Sequence, residues 1–143
     1  MESETSTGDL LKTIYRAGTI DEYFMDHIGG RGLPSFSEYI KAICKRREDT
    51  VEHIIKRSGI ERTYGHQIFN GTRKPSRDKV LQLALGFGMD VEETQRMLKI
   101  AEKNELYPRI KRDAMLLYCI THGKGYAETQ EALKLYKLPV LGE

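Results

Sequence analysis

Long apolar runs are missing from this chain. No stretch approaches the roughly 18 residues that a membrane-crossing helix needs, so a membrane role is not expected. The opening MESETSTG has neither the basic nor the apolar region of a secretory signal, which predicts a cytoplasmic protein. Cysteine is scarce as well. Cys44 and Cys119 are far apart, sit inside apolar helical patterns and form no CxxC, so buried free thiols are expected instead of a disulfide, metal or redox site. The histidines His27, His53, His66 and His122 make no HxxxH or HExxH, and neither a G-x-S-x-G elbow nor a P-loop is present. The GFG at residues 86–88 lacks the further glycine and the preceding strand of a dinucleotide site. The adjacent Glu92 and Glu93 are read as partners of a helix N-terminus. No enzyme, cofactor or metal is therefore predicted. Alternating strand patterns, internal repeats and low-complexity segments are also lacking, which leaves an all-α fold.

A length of 143 residues with 39% hydrophobic content suits one ordinary domain, or a small domain with a helical annex. The net charge of +2 conceals an uneven distribution. Residues 1–40 hold three basic and seven acidic side chains, giving −4, whereas residues 41–79 hold eleven basic and five acidic, giving +6. The rest is balanced, nine against nine. A positive segment is what phosphate neutralisation requires, although a solvated basic face has the same composition.

Residues 1–7 are almost devoid of apolar side chains and read as a tail. Helical spacing of Leu10, Leu11, Ile14 and Tyr15, then a Thr19/Glu22 capping box, predicts two short helices before a glycine-rich link at residues 29–34. Ser35 with Glu38 opens a helix bearing Phe36, Tyr39, Ile40 and Ile43 on one face. Next comes TVEHIIKRSGIERTYGHQIFNGTRKP, residues 50–75. Thr50 is a natural N-cap, Ile54 and Ile55 give an apolar face, and Gly59 suits the positive φ of a tight turn. Ile60 is expected to bury after it, and the second helix, opening near Glu61, ends at Gly71. A helix from Ser76 to about Phe87, ended by Gly86 and Gly88, carries Val80, Leu81, Leu83, Ala84 and Leu85 inward. Asp90 with Glu93 starts another, bearing Val91, Met97, Leu98 and Ile100. Leu106, Tyr107 and Pro108 are expected to begin a further helix with Ile110, Ala114, Leu117 and Ile120 inward. Gly123 and Gly125 precede the last helix, with Ala127, Leu133 and Tyr136. The segments are thus 1–34, 35–104 and 105–143.

Five helices with the second and third flanking SGI, followed by IFNGTRKPS, resemble the XRE family of phage-repressor-like helix-turn-helix proteins. The resemblance covers roughly residues 36–104. It places Gly59 and Ile60 at the family's turn, Ile68 at a buried position of the recognition helix, Gly71 and Pro75 at its exit, and Leu81, Ala84 and Leu85 on the supporting helix. The pattern continuing through RKPSRDKVLQLALGFGMDVEETQRMLKIAE and LYPRIKRDAMLLY is similar to a Gram-positive subgroup with a C-terminal helical extension. The resemblance implies double-stranded DNA as the partner and a sequence-specific transcriptional regulator. Two positions depart from the family: Val51 stands where many members have a phosphate-bridging Gln, and Gly65 where a buried aliphatic residue is usual. Gly65 costs about 1 kcal/mol of helix stability relative to Ala. It implies either a looser helix or the close approach of another.

On that second helix Arg62 and His66, and Thr63 and Gln67, are four residues apart and form a polar stripe opposite Ile68. Arg can read guanine O6/N7, Gln can read adenine N6/N7, and Thr can touch a thymine methyl. Tyr64 lies beside the stripe. Asn70, Arg73 and Lys74 are placed for phosphate, which positions the protein without specifying sequence. The same face also fits a solvated helix surface. Lys45, Arg46 and Arg47 suit a helix C-terminus, and Arg109, Lys111 and Arg112 beside Asp113 suit an internal pair. Val51, Gly65 and the added helices motivate the alternative of a protein-interaction adaptor without DNA binding. Readers of this class commonly pair two recognition helices through a dimer. Leu116, Leu117, Tyr118, Leu133, Tyr136 and Leu138, or Tyr23, Phe24 and Met25, could form a homodimer surface or fold back into the monomer core.

Overall fold

In a computed structural model that describes residues 35–142, seven helices and no strand occur among the described residues, and the chain is all-α. They are α1 (Phe36–Arg46), α2 (Val51–Arg57), α3 (Arg62–Asn70), α4 (Arg77–Phe87), α5 (Val91–Ile100), α6 (Lys111–Thr121) and α7 (Tyr126–Leu135). Five of them fall within residues 35–104, and α6 and α7 follow. The helices expected within residues 10–28, the link at 29–34, and Tyr23, Phe24 and Met25 lie outside the described residues.

Local chemistry sets most boundaries. Ser35 and Glu38 form a reciprocal capping box on α1 (3.3 and 3.2 Å), and Asp90 and Glu93 do so on α5 (2.8 and 3.0 Å). Thr50 accepts from the His53 amide at 3.1 Å and Ser76 from the Lys79 amide at 3.2 Å, each satisfying a donor that the first helical turn leaves open. On α7, where Gly125 has no side chain to cap with, Glu128 accepts from the Gly125 amide at 3.1 Å.

The core is centred on α4, whose residues 80–87 are all buried and which packs against α2, α5 and α7. Ile40 and Ile43, Ile54 and Ile55, Ile68 and Phe69, and Met97 and Leu98 close around it. Each fully buried large aliphatic side chain contributes about 1.5–3 kcal/mol. Both cysteines are free and buried, and burial, with Asp49 adding to it, pushes the Cys44 thiol up.

Two glycines mark helix contacts that leave no room for a side chain. A Cβ on Gly65 would fall 2.6–2.8 Å from three side-chain atoms of Ile55, so α3 crosses α2 at van der Waals distance from its backbone. Gly65 is thus a site of close approach. Gly86 does not end α4 as expected but lies inside it, where a Cβ would meet the Ser58 Oγ at 2.0 Å. The helix ends at Gly88, with φ at 72°.

The C-terminal helices differ from expectation at their start and on their inward face. Pro108 lies in a turn, and α6 begins only at Lys111, because the Asp113 carboxylate holds the Tyr107 amide at 2.9 Å and the Ile110 amide bonds the Tyr107 carbonyl. Ile110 is consequently exposed, and Ala114 and Leu117 are only partly buried; Asp113, Leu116, Cys119 and Ile120 face inward. Asp113 binds Arg77 through both oxygens (3.2 and 2.9 Å), while Arg112 binds Asp78 through two parallel hydrogen bonds of 3.0 Å. An Arg-Asp dipeptide on α4 thereby pairs crosswise with an Arg-Asp dipeptide on α6. Leu116 and Leu133 fold into the monomer core, whereas Tyr118, Leu135 and Tyr136 stay exposed.

Gly65→Ala should lower stability by about 1–3 kcal/mol through overpacking, whereas helix propensity alone would raise it by about 1 kcal/mol. Urea midpoints decide the sign, and the double variant Gly65→Ala/Ile55→Ala should lose less than the sum of the two single losses. Acid should also loosen the α4–α6 contact. Burial raises the Asp78 carboxyl, but the Arg112 hydrogen bonds, the Gly142 amide and the nearby guanidinium charges outweigh it and hold the pKa below the ordinary value. A depressed pKa stabilises fully above the unfolded value of about 3.9 and loses that contribution as pH falls through the folded one. Urea midpoints of wild type should therefore fall over that window, and those of Asp78→Asn should fall less steeply from a lower neutral-pH value.

Candidate nucleic-acid interface

The α2–α3 connection is short because each residue in it has a defined task. Ser58 caps α2 and donates its hydroxyl to the Ile54 carbonyl at 2.7 Å. Gly59 takes φ at 68°, a conformation costly for residues with a Cβ. Ile60 is buried, and Glu61 then caps α3 by accepting from the Thr63 and Tyr64 amides at 3.0 and 2.9 Å. Those two backbone hydrogen bonds, the Tyr64 one foremost, hold the Glu61 carboxyl below the usual carboxylate range. At the other end Gly71 adopts φ at 86°, and the amides of Thr72 and Arg73 return to the Gln67 carbonyl at 3.0 and 3.2 Å.

Ile68 and Phe69 anchor α3 in the core, so its opposite side faces outward. Arg62 and Thr63 are exposed, and His66 and Gln67 are partly buried at the edge of the same stripe. Glu52, which the sequence reading did not single out, is the organising group here. One of its oxygens, Oε2, accepts from Arg62 Nε at 2.9 Å, lies 2.8 Å from Arg62 Nη2, and is 3.1 Å from His66 Nε2. A carboxylate can only accept, so His66 Nε2 carries the hydrogen in this contact. The hydrogen bonds from Arg62 and His66 hold Glu52 below its ordinary pKa. Geometrically, Glu52 occupies the Nε edge of the guanidinium. The edge formed by its two terminal nitrogens is turned away from that contact.

A second group gathers at the C-terminal half of α3. The Arg73 guanidinium lies 4.1 Å from the Tyr64 ring centroid and Lys79 Nζ lies 5.4 Å from it, both within cation–π range. Arg73 also donates to Gln67 Oε1 at a long 3.5 Å. Asn70 accepts from the Thr72 amide and hydroxyl at 3.0 and 2.8 Å, which makes it a turn-forming residue. Lys74 is exposed in the following loop, and Pro75 is buried behind it. The structure thus brings Arg62 together with His66 at Glu52, and Tyr64 and Gln67 together with Arg73, while Thr63, Asn70 and Lys74 are exposed.

In each of the other basic clusters one residue is engaged in structure, Arg47 and Arg112, while Lys45, Arg46, Arg109 and Lys111 are exposed. Arg47 caps α1, donates to the Phe87 carbonyl and pairs with Glu93 at 3.4 Å; Arg112 also donates to the Pro139 and Val140 carbonyls. Among the described residues no cluster of three or more His, Cys, Asp or Glu could hold a metal, and no helix is long and apolar enough to cross a membrane. In comparisons with protein-family models, curated proteins and solved structures, the chain matches none of them.

Proposed function

We propose that this protein is a sequence-specific regulator that reads the major groove of double-stranded DNA with α3, in the manner of the phage-repressor-like helix-turn-helix proteins that its sequence resembles. The observation that carries the reading is the outward edge of Arg62, fixed from behind by Glu52 and set on a helix whose opposite face is anchored in the core. A guanidinium held along its Nε edge keeps a pair of terminal N–H donors for guanine O6 and N7, and the contact biases its orientation before binding. Thr63 and Gln67 extend the stripe toward neighbouring bases, while Arg73 and Lys74 supply positive charge where the groove wall would run. Such a role needs no cofactor and no catalytic step, and its place is the cytoplasm.

A second reading, an adaptor that binds a protein, is favoured by the same Glu52. Its exposed carboxylate would face a polyanion, and Asn70, Gln67 and Arg73 already have internal partners. Selection from random duplexes at low salt separates the two. Enrichment of one motif supports the regulator; no motif, with binding weaker than the roughly 10⁻⁴ to 10⁻⁶ M of non-specific association, removes it. A stoichiometric protein recovered from the native cell without an enriched DNA site would then favour the adaptor.

With a selected duplex in hand, Arg62→Ala should reduce discrimination at one base position by roughly ten- to a hundredfold. Lys74→Ala should weaken all sequences alike and lower the salt slope by about one phosphate. Glu52→Gln should strengthen binding to every duplex, by removing a negative charge, yet narrow the ratio between preferred and other sites, because Arg62 loses its fixed orientation. Anisotropy titrations against matched and mismatched duplexes measure all three.

Two half-sites one DNA turn apart would require two copies of α3. Tyr118 on α6, Leu135 on α7 and Tyr136 at its end are more than half exposed and are among the apolar groups available for pairing. Light scattering of the full chain on a two-site duplex should give a dimer, and a Leu135→Glu/Tyr136→Glu variant a monomer; a wild type that stays monomeric there removes dimerisation from the proposal.

A further inference from the structure

The turn that presents α3 is gripped by residues far from it in sequence. Gln82, fully buried in the middle of α4, donates Nε2 to the carbonyls of Ser58 and Gly59 at 3.1 and 3.3 Å, and its Oε1 accepts from Lys79 Nζ at 3.2 Å. On the other side of the turn lies Tyr126, the first residue of α7. A Cβ on Gly59 would fall 2.3–2.5 Å from three atoms of its ring, so the aromatic ring sits directly against the glycine backbone.

Both grips are tied to the last residues of the chain. Gln130 donates Nε2 to the Tyr126 hydroxyl at 3.2 Å and to the Leu141 carbonyl at 3.0 Å, while its Oε1 accepts from the Leu141 amide at 2.7 Å. Leu141 is buried, and the Gly142 amide donates to Asp78 at 3.0 Å. Gly142 packs so near Gln82 and Lys79 that a Cβ there would lie 3.3 Å from the Gln82 oxygen and from the Lys79 nitrogen. Arg112 holds the Pro139 and Val140 carbonyls at 2.8 and 3.0 Å. Two routes from one segment therefore converge on Ser58 and Gly59, one through Gln82 and one through Gln130 and Tyr126.

We infer that α7 and residues 138–142 form a clamp that fixes the α2–α3 turn, and that Tyr126, Gln130 and Gln82 are positioning residues for α3; this rests on α3 being the DNA-reading helix. A helix that merely enlarged the core would press on the sides of its neighbours. Here the contacts go to the backbone of the connection that leads into α3. Gly59 is the residue in that connection with the widest conformational choice, and Tyr126 fills the space into which it could move.

The test uses the full chain with Tyr126→Ala, Tyr126→Phe and Gln130→Ala. It combines residue-resolved amide exchange with anisotropy titrations on the duplex that wild type selects. Tyr126→Ala should speed exchange of the Gly59 and Ile60 amides by about tenfold or more while leaving the Ile43 and Met97 amides unchanged. It should raise the duplex Kd by about three- to thirtyfold with an unaltered salt slope, because the phosphate contacts are the same in number. Tyr126→Phe keeps the ring against Gly59 but removes the Gln130 hydrogen bond, so it should fall between wild type and Tyr126→Ala in both readouts. Unchanged exchange at Gly59 in Tyr126→Ala overturns the clamp, as does faster exchange with unchanged affinity. If Tyr126→Ala loses protection everywhere, Gln130→Ala, which spares the ring and frees Leu141, decides by the same two measurements. A wild type that binds no duplex would remove the DNA reading, and exchange at Gly59 would then judge the clamp by itself.

Discussion

The contact on which the architecture rests is the seating of the C-terminal end of α2 on the backbone of α4, where Ser58 lies against Gly86. Only the Ser58 hydroxymethyl group lies between the two helices there. That nearness lets a side chain as short as Gln82 span from the middle of α4 to the Ser58 and Gly59 carbonyls, and it exposes Gly59 to the Tyr126 ring. The turn then directs α3 back across α2, where Gly65 permits a second close crossing against Ile55. Two glycines within helices thus fix the spatial relation of α2, α3 and α4. The roughly 1 kcal/mol that each costs in helix propensity is offset by dispersion contacts that a wider separation would forfeit.

The second constraint is electrostatic and joins the C-terminal helices to this arrangement. The Arg77–Asp113 and Arg112–Asp78 pairs are each bidentate, and the Arg77 guanidinium additionally donates to the Asn104 and Glu105 carbonyls. Asp113 is nearly fully buried, so its charge is tolerable only because Arg77 and the Tyr107 amide satisfy it. Crossed pairing also resists register errors: sliding α6 along α4 by one residue would set like charges opposite one another. This fixes α6 with enough precision for α7 and the segment after it to reach the α2–α3 turn.

Much of the local structure was legible because it depends on neighbours in sequence. The caps at Ser35, Thr50 and Asp90, the turn at Gly59 and the stop at Gly71 each arise from residues within a few positions. The inward face of α6 was not legible, since Asp113 turns inward only to meet Arg77, 36 residues earlier. Gly86 was misread for a similar reason: a glycine beside Gly88 looks like a stop until the position of Ser58 is known. At the candidate site, the outward stripe followed from helical spacing, but the engagement of its members did not. Arg62 and His66 meet Glu52, and outside the stripe Asn70 accepts from Thr72 and Arg73 lies over Tyr64. Glu52 escaped notice because whether it faces α3 depends on the angle between two helices, which no local pattern encodes. Gln82 carried a signal of its own, a lone amide within VLQLALGF, and a polar side chain in so apolar a run implies a buried hydrogen-bond partner.

Folding also alters what the charge of residues 41–79 can mean for a polyanionic partner. Arg47 and Arg77 are matched to Glu93 and Asp113, which come from outside that segment, and Asp78 is matched to Arg112. Counting those three partners with the segment changes +6 to +5, so the positive bias survives pairing. What changes is its distribution. Arg47, Arg77 and Arg112 are tied into the scaffold, whereas Arg73 and Lys74 remain exposed beside the end of α3. Glu52 is the opposing term, an exposed anion at the start of the same surface, already engaged by Arg62 and His66. In water-facing surroundings an isolated pair of this kind is weak and screened by salt, so its contribution to fold stability is slight. Its consequence is directional: it favours one orientation for a long guanidinium, and in that orientation the edge formed by the two terminal nitrogens points away from Glu52.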